Sequence, residues 1–239
     1  MERYKSRAEL KSETKALLKG RWKEAVLLNA VPTILTIIVM AISIGVLAVL
    51  FKDLMANPDM YNTTSSEGSG STSAGIISAF LTVGISFTFL DWLRDPEMRI
   101  QPFKHAFQVF TKKYFIGTLL VYLLTAIFVT LWTLLLVIPG IIKAFSYSQA
   151  YFIFKDRKTF AGNEKVSALD CITESRKMMD GHKWEYFVLQ LSFIGWGILS
   201  VLSLGIGFLW LNPYMNATYA AFYKNLTENT SYDESIEVF

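Results

Sequence analysis

The chain has 239 residues, of which 52% are apolar, 15% aromatic and only 18% charged, against about 25% charged in ordinary soluble domains. Mean hydropathy is +0.35, and several uncharged runs exceed the roughly 20 residues that cross a ~30 Å hydrocarbon core. These figures argue against a soluble globular domain, and the lack of alternating strand-length segments argues against a β-barrel. The expected class is an all-α polytopic membrane protein. The net charge of +3 is modest, and the single cysteine, Cys171, admits no internal disulfide. No cleavable signal peptide is expected, because the first 23 residues are too charged for its leading region.

Residues 1–23 predict a basic helix lying on the membrane. Ser6 and Glu9 have capping-box spacing and Gly20 suits the position just past a helix end. Residues 24–91 form hairpin 1, with a first span from Ala25 to Phe51, an exposed extracytoplasmic loop at 53–73, and a second span from Ala74 to Leu90. The loop is rich in Ser, Gly and Thr and holds the sequon Asn62-Thr63-Thr64.

Residues 92–155 supply a second interfacial helix and hairpin 2. Pro102 suits a first helical position, and Phe103, Phe107, Phe110 and Tyr114 make one aromatic stripe opposite Lys104, Gln108 and Lys112. The third span runs from Tyr114 to a break at Pro139-Gly140, and a short fourth from Ile141 to Phe154. Residues 156–224 repeat the plan, with Ser167 and Asp170 as a cap pattern and Gly181 past the helix end. From Tyr186 to Tyr223 there are 38 consecutive uncharged residues, about twice a single crossing, with Gly205-Ile206-Gly207 near the middle as the reversal. The polar, acidic tail 225–239 reads as mobile.

Placing the N-terminus, the segments 91–113 and 155–183 and Lys224 on one side collects 21 of the 23 Lys and Arg there, leaving only Lys52 and Lys143 opposite. The positive-inside rule then gives six spans with both termini cytoplasmic. The basic segments would meet anionic lipid headgroups at that face.

The plan repeats internally. Ser6…Gly20 and Ser167…Gly181 lie 161 positions apart, each followed by a basic, Trp-bearing stretch. At an offset of 67, Gly140, Tyr147, Gln149 and Ala150 correspond to Gly207, Tyr214, Asn216 and Ala217. The chain therefore reads as a single membrane domain of three units, each an interfacial helix followed by a transmembrane hairpin.

Polar groups inside apolar spans mark the residues to watch. Ser146 and Gln149 lie on the fourth span; Asn212, Asn216 and Tyr219 share a face of the sixth. In lipid they must turn inward and be paired. Two readings stand open: interhelical glue between the fourth and sixth spans, or a polar cavity for a lipid headgroup or small solute, to which Lys143 would add a charge. For Lys143 the simpler reading is snorkelling to the outer interface.

No span holds an acidic residue at mid-depth, which argues against proton- or cation-coupled transport. His105 and His182 sit in separate segments with no metal-ligand spacing, and no nucleophile elbow, P-loop or dinucleotide turn is present. Neither an enzyme, a cofactor nor a nucleic-acid partner is expected.

The run Pro139 to Ala150, with Ser175, Met178-Met179, Gly181-His182-Lys183 and Leu191 to Trp196, resembles the bacterial integral membrane family catalogued as domain of unknown function nine-seven-five. Gly205-Ile206-Gly207, Trp210, Pro213-Tyr214, Ala221-Phe222-Tyr223 and the early Leu18 to Trp22 extend the resemblance over nearly the whole chain. It implies a bacterial cytoplasmic-membrane protein without an established activity and carries no functional residues. The expected role is a non-enzymatic scaffold, accessory or immunity-type component of a membrane system, with a possible membrane protein partner. The alternative is a lipid or small-amphiphile binder or transporter.

Overall fold

The computed structural model describes residues 4–56, 71–160 and 165–237, so the sequon and most of the 53–73 loop lie outside the described residues. Among those described there are helices and no strands. Two segments, Phe115–Leu135 and Lys183–Leu202, are long and apolar enough to cross a membrane by length and composition.

Helix α1 (Arg7–Leu18) starts where the capping pattern predicts. The Ser6 hydroxyl accepts from the Glu9 N–H at 3.4 Å, and the Glu9 carboxylate accepts from the Ser6 N–H at 2.6 Å. Helix α8 (Ala168–Met178) starts with Ser167 accepting from the Asp170 N–H at 3.4 Å. Gly20 and Gly181 follow with φ of +80° and +82°, a conformation that would cost a residue with a β-carbon about 1–2 kcal/mol. The 161-residue offset also superimposes the buried positions. Leu10, Thr14 and Leu18 of α1 match Cys171, Ser175 and Met179 of α8, and all six are buried.

Between the two lie α2 (Trp22–Ala56), α3 (Ser71–Arg94), the short α4 (Pro102–Ala106) with a 3₁₀ turn at Gln108–Phe110, α5 (Phe115–Leu135), α6 (Val137–Tyr147) and α7 (Ala150–Phe160). Then follow α9 (Lys183–Leu191), α10 (Ile194–Leu202) and α11 (Phe208–Glu237). Hairpins 2 and 3 close in the same way. A β-carbon on Gly140 would lie 2.8 Å from Thr133 Cα, and one on Gly207 would lie 2.7 Å from Ser200 Cα. Thr133 and Ser200, themselves 67 apart, each donate to the carbonyl four residues back at 2.8 Å.

The three units interlock in a ring. Each amphipathic helix packs on the hairpin of another unit: α1 on α11, α4 on α2 and α3, and α8 on α5, α6 and α7. Helix α11 joins units 3 and 1 through α2 and α3, α6 joins units 2 and 3 through α9, and α7 returns to α3.

Several expectations are corrected. Leu10, Leu18, Cys171, Ile172 and Met179, on the apolar sides of α1 and α8 and at the end of α8, are buried against protein, while Leu169 stays exposed. The interfacial helix expected over 102–113 breaks at Phe107; Ala106 and Val109 turn inward, while Phe103, Phe107 and Phe110 stay exposed. The expected fourth span bends at Ser148-Gln149 into α6 and α7, and the fifth bends at Ser192-Phe193 into α9 and α10. The tail is helical to Glu237, with Asn225, Leu226 and Asn229 buried. The Asn225 carboxamide oxygen accepts from the Lys5 N–H at 3.1 Å.

Candidate functional site

The six residues expected to line one polar cavity go to four separate places. On α11, Asn212 donates to the Thr33 hydroxyl at 3.0 Å and Asn216 to the Asn29 carboxamide oxygen at 2.8 Å, both on α2. Asn29 in turn donates to the Ala25 carbonyl at 3.0 Å. The Tyr219 ring lies instead against Tyr186 and Phe193, at 5.6 and 6.1 Å between centroids.

On the hairpin 2 side, Ser146 donates to the Ile142 carbonyl, and its own carbonyl accepts from the Ser175 hydroxyl at 2.8 Å. That hydroxyl also accepts from the Gln149 N–H at 3.2 Å. The Gln149 side chain donates to Ser148, and its buried Oε1 has no partner among the described residues. The Asn212 and Asn216 side chains thus bond α11 to α2, and the Ser175 hydroxyl bonds α8 to the backbone at Ser146 and Gln149; no hydrogen bond among the described residues joins the fourth span to the sixth. The local spacing identified them; which helix would face each was not written in it.

Lys143 is separate again. Its ammonium lies 4.6 Å from the centre of the Trp132 ring, in a groove of about 260 Å³ with Phe128, Tyr147, Thr173 and Arg176. The last two belong to α8. An adjoining groove of about 330 Å³ has mixed charge, with Arg157 paired to Glu174 at 2.6 Å.

Sequence reasoning missed the densest polar assembly, at the end of the bundle where α3, α7 and α11 meet. Lys155, buried on α7, donates to the Phe87 carbonyl at 2.9 Å and pairs with Asp91. Arg94 grips both carboxylate oxygens of Asp156 at 2.7 Å, and the Tyr223 hydroxyl donates to the same carboxylate at 2.8 Å. Phe152 and Tyr223 stack beneath, 5.0 Å between centroids. Lys224 extends the network to the Leu93 carbonyl at 3.1 Å and to Glu13 at 3.3 Å, and Glu13 also holds Lys5 at 2.9 Å. Arg21 lies 4.6 Å over the Trp92 ring and donates to the Pro96 and Met98 carbonyls. The only sequence signal was position, since Asp91, Lys155 and Lys224 each close an apolar run.

This assembly pairs charge with charge. Burial tends to raise the Glu13 carboxyl pKa, but the Lys5 and Lys224 ammoniums outweigh it and hold it below the usual carboxylate range. Burial pushes the Cys171 thiol up to about 11, away from nucleophilic character. Among the described residues, no His, Cys, Asp or Glu cluster could hold a metal ion.

Two stretches of the chain, 1–146 and 133–230, match the family model described as Protein of unknown function (DUF975). The chain belongs to that family, as the resemblance in its last two hairpins implies. No curated protein and no solved structure matches it.

Proposed function

We propose that this DUF975 member is a non-enzymatic scaffold in a membrane, serving as an accessory or immunity-type component of another membrane system. In this reading it is a multi-pass protein of the bacterial cytoplasmic membrane, with both termini on the cytoplasmic side with the charged assembly. The observation that carries the reading is the pairing of polar groups between helices. Asn212 is paired with Thr33, Asn216 with Asn29, and Ser175 with Ser146 and Gln149. They brace helices against each other. Exposed apolar side chains on α2, α5 and α10 supply the surface a membrane would cover, among them Ile42, Leu134 and Leu202.

Two measurements test this. Native mass spectrometry of the protein, gently extracted from its own membrane, is expected to retain a stoichiometric protein partner. Replacing Asn212, Asn216 and Gln149 by Leu is expected to change stability and leave the cellular phenotype intact. Turnover or transport of a substrate by the purified protein alone would refute the reading. A second reading, binding of a lipid or small amphiphile, is favoured by one observation only: the cationic groove at Lys143.

A further inference from the structure

We propose that the groove between α5, α6 and α8 binds the phosphate of an anionic phospholipid, with Lys143 and Arg176 as cationic contacts and Trp132 and Tyr147 flanking them. The inference rests on the second reading above and on the chain being embedded in a membrane.

The first argument is charge. Lys143 and Arg176 line one groove, and neither has a carboxylate partner among the described residues. Lys143 rests on the Trp132 ring at 4.6 Å. The adjoining groove differs in this respect, since Glu174 neutralises Arg157 there. Two uncompensated cations with the Thr173 hydroxyl beside them suit a phosphodiester, which takes charge-assisted hydrogen bonds on its two free oxygens.

The second argument is depth. Ser175 bonds the Ser146 carbonyl and the Gln149 N–H, which fixes the level of α8 along hairpin 2. From Ser146 to Val137, where α6 begins, the helix rises about 14 Å, half of a ~30 Å hydrocarbon core. Beyond Lys143, the tip of the hairpin carries exposed apolar side chains, among them Leu134, Leu135, Val137 and Ile138. Helix α8, carrying Asp170, Glu174, Arg176 and Lys177, cannot enter hydrocarbon. The groove therefore lies at the headgroup level on the α8 side, with the hairpin tip dipping into one leaflet. The six-span topology would instead put a full hydrocarbon thickness between Lys143 and Arg176, which share the groove.

The third argument is composition. Trp and Tyr are the side chains favoured at headgroup depth, while Phe128, Leu169 and Ile172 complete an apolar wall on which an acyl chain can start. A groove of about 260 Å³ holds a headgroup rather than a whole lipid. The repeat supplies a contrast within the molecule. Against hairpin 3, Lys15 of α1 and Tyr214 occupy the positions of Arg176 and Tyr147, but Trp210 stands where Lys143 would, so the cation on the hairpin limb itself is missing there, and the Lys11 ammonium rests on the Phe193 ring at 4.2 Å instead.

The test titrates full-length protein in mild detergent with phosphatidylglycerol, phosphatidylcholine or inorganic phosphate, read by native mass spectrometry. Phosphatidylglycerol is expected to bind one-to-one and in preference to phosphatidylcholine. The Lys143→Gln/Arg176→Gln variant should bind it at least about tenfold more weakly, the loss of one charge-assisted hydrogen bond. A Lys19→Gln/Lys23→Gln control, with the same loss of charge elsewhere, should bind as wild type. Equal retention of both lipids, equal loss in the control, or occupancy by inorganic phosphate without lipid would each overturn the proposal. Should the groove variant fail to fold, a photoactivatable phosphatidylglycerol is applied to wild type. Cross-links are expected within 128–147 and 169–176, and capture elsewhere overturns the proposal. A wild-type chain that keeps a protein partner but no phospholipid defeats this site and leaves the scaffold standing; the reverse defeats the scaffold alone.

Discussion

The equivalence of hairpins 2 and 3 makes a sharp prediction for Gly140→Ala and Gly207→Ala. The added methyl would sit 2.8 Å from Thr133 Cα in one case and 2.7 Å from Ser200 Cα in the other, against about 3.5–4.0 Å for relaxed carbon contacts. The two limbs of each hairpin must therefore part by roughly 1 Å, and overpacking of this kind costs about 1–3 kcal/mol. Alanine recovers up to about 1 kcal/mol over glycine inside α6, so Gly140→Ala should lose about 1–2 kcal/mol net, and Gly207→Ala, just before α11, about 1–3 kcal/mol. Gly195 and Gly197, inside α10, would meet nothing within 4 Å. Their alanine variants are expected to be neutral or up to about 1 kcal/mol more stable. The assay is thermal unfolding in one mild detergent, followed by loss of the monodisperse peak in size-exclusion chromatography. Thr133→Gly should rescue Gly140→Ala only in part, because it removes the hydroxyl, which lies nearer still, but leaves the Cα at 2.8 Å. Equal midpoints for Gly140→Ala and Gly195→Ala would refute the close approach. A defect in only one of the two hairpins would refute their equivalence.

Asp156→Asn weakens the Arg94 fork and the acceptor of Tyr223; with Arg94 over a third exposed, the loss should sit at the low end of about 1–3 kcal/mol. Tyr223→Phe should cost about 1 kcal/mol, and a chemical denaturation series in detergent checks both. Because Glu13 is held below its ordinary value of 4.5 by Lys5 and Lys224, its contribution is fully present above that pH. It is lost as pH falls through the depressed folded value, so Glu13→Gln should flatten the acid limb of the stability profile, and an unchanged limb would show that Glu13 does not tie α1 to α11. Cys171 is buried with its thiol pushed up to about 11, so maleimide at neutral pH should label it far more slowly in native protein than after denaturation; mass spectrometry reads the adduct, and equal rates would contradict the packing of α8.

Features set by neighbours in sequence were legible. The Ser6–Glu9 cap, the glycines ending α1 and α8 and the reversal at Gly205 need only a few adjacent residues, and the structure places them where the pattern predicts. What the pattern could not supply is the identity of the covering surface. A helical apolar stripe looks the same whether lipid or protein lies against it, so α1 and α8 read as surface helices although Leu10, Leu18 and Met179 are fully buried. The Arg94–Asp156 and Lys155–Asp91 pairs join positions more than sixty residues apart, and no local periodicity announces such a partner. The surroundings of Lys143 were hidden for a related reason. Counting charges assigns sides only if every apolar run is taken to cross, and the Ser175 bonds to Ser146 and Gln149 show α8 meeting hairpin 2 partway along its length.

The ring explains why the ends of the chain behave as they do. An amphipathic helix that buried its face on its own hairpin would make each unit self-sufficient, and a polar tail could then fray. Here α1 packs mainly on α11, so the Lys5 N–H reaches the Asn225 side chain 220 positions away, and Glu13 bridges Lys5 to Lys224. The first helix is thus completed by the last, and the tail must be helical at Asn225 to receive it. Repeat arrays usually close their ends with dedicated polar caps, because each unit has only neighbours to lean on. Three units in a cycle need no caps, and the ends of the chain take the place of the missing neighbour.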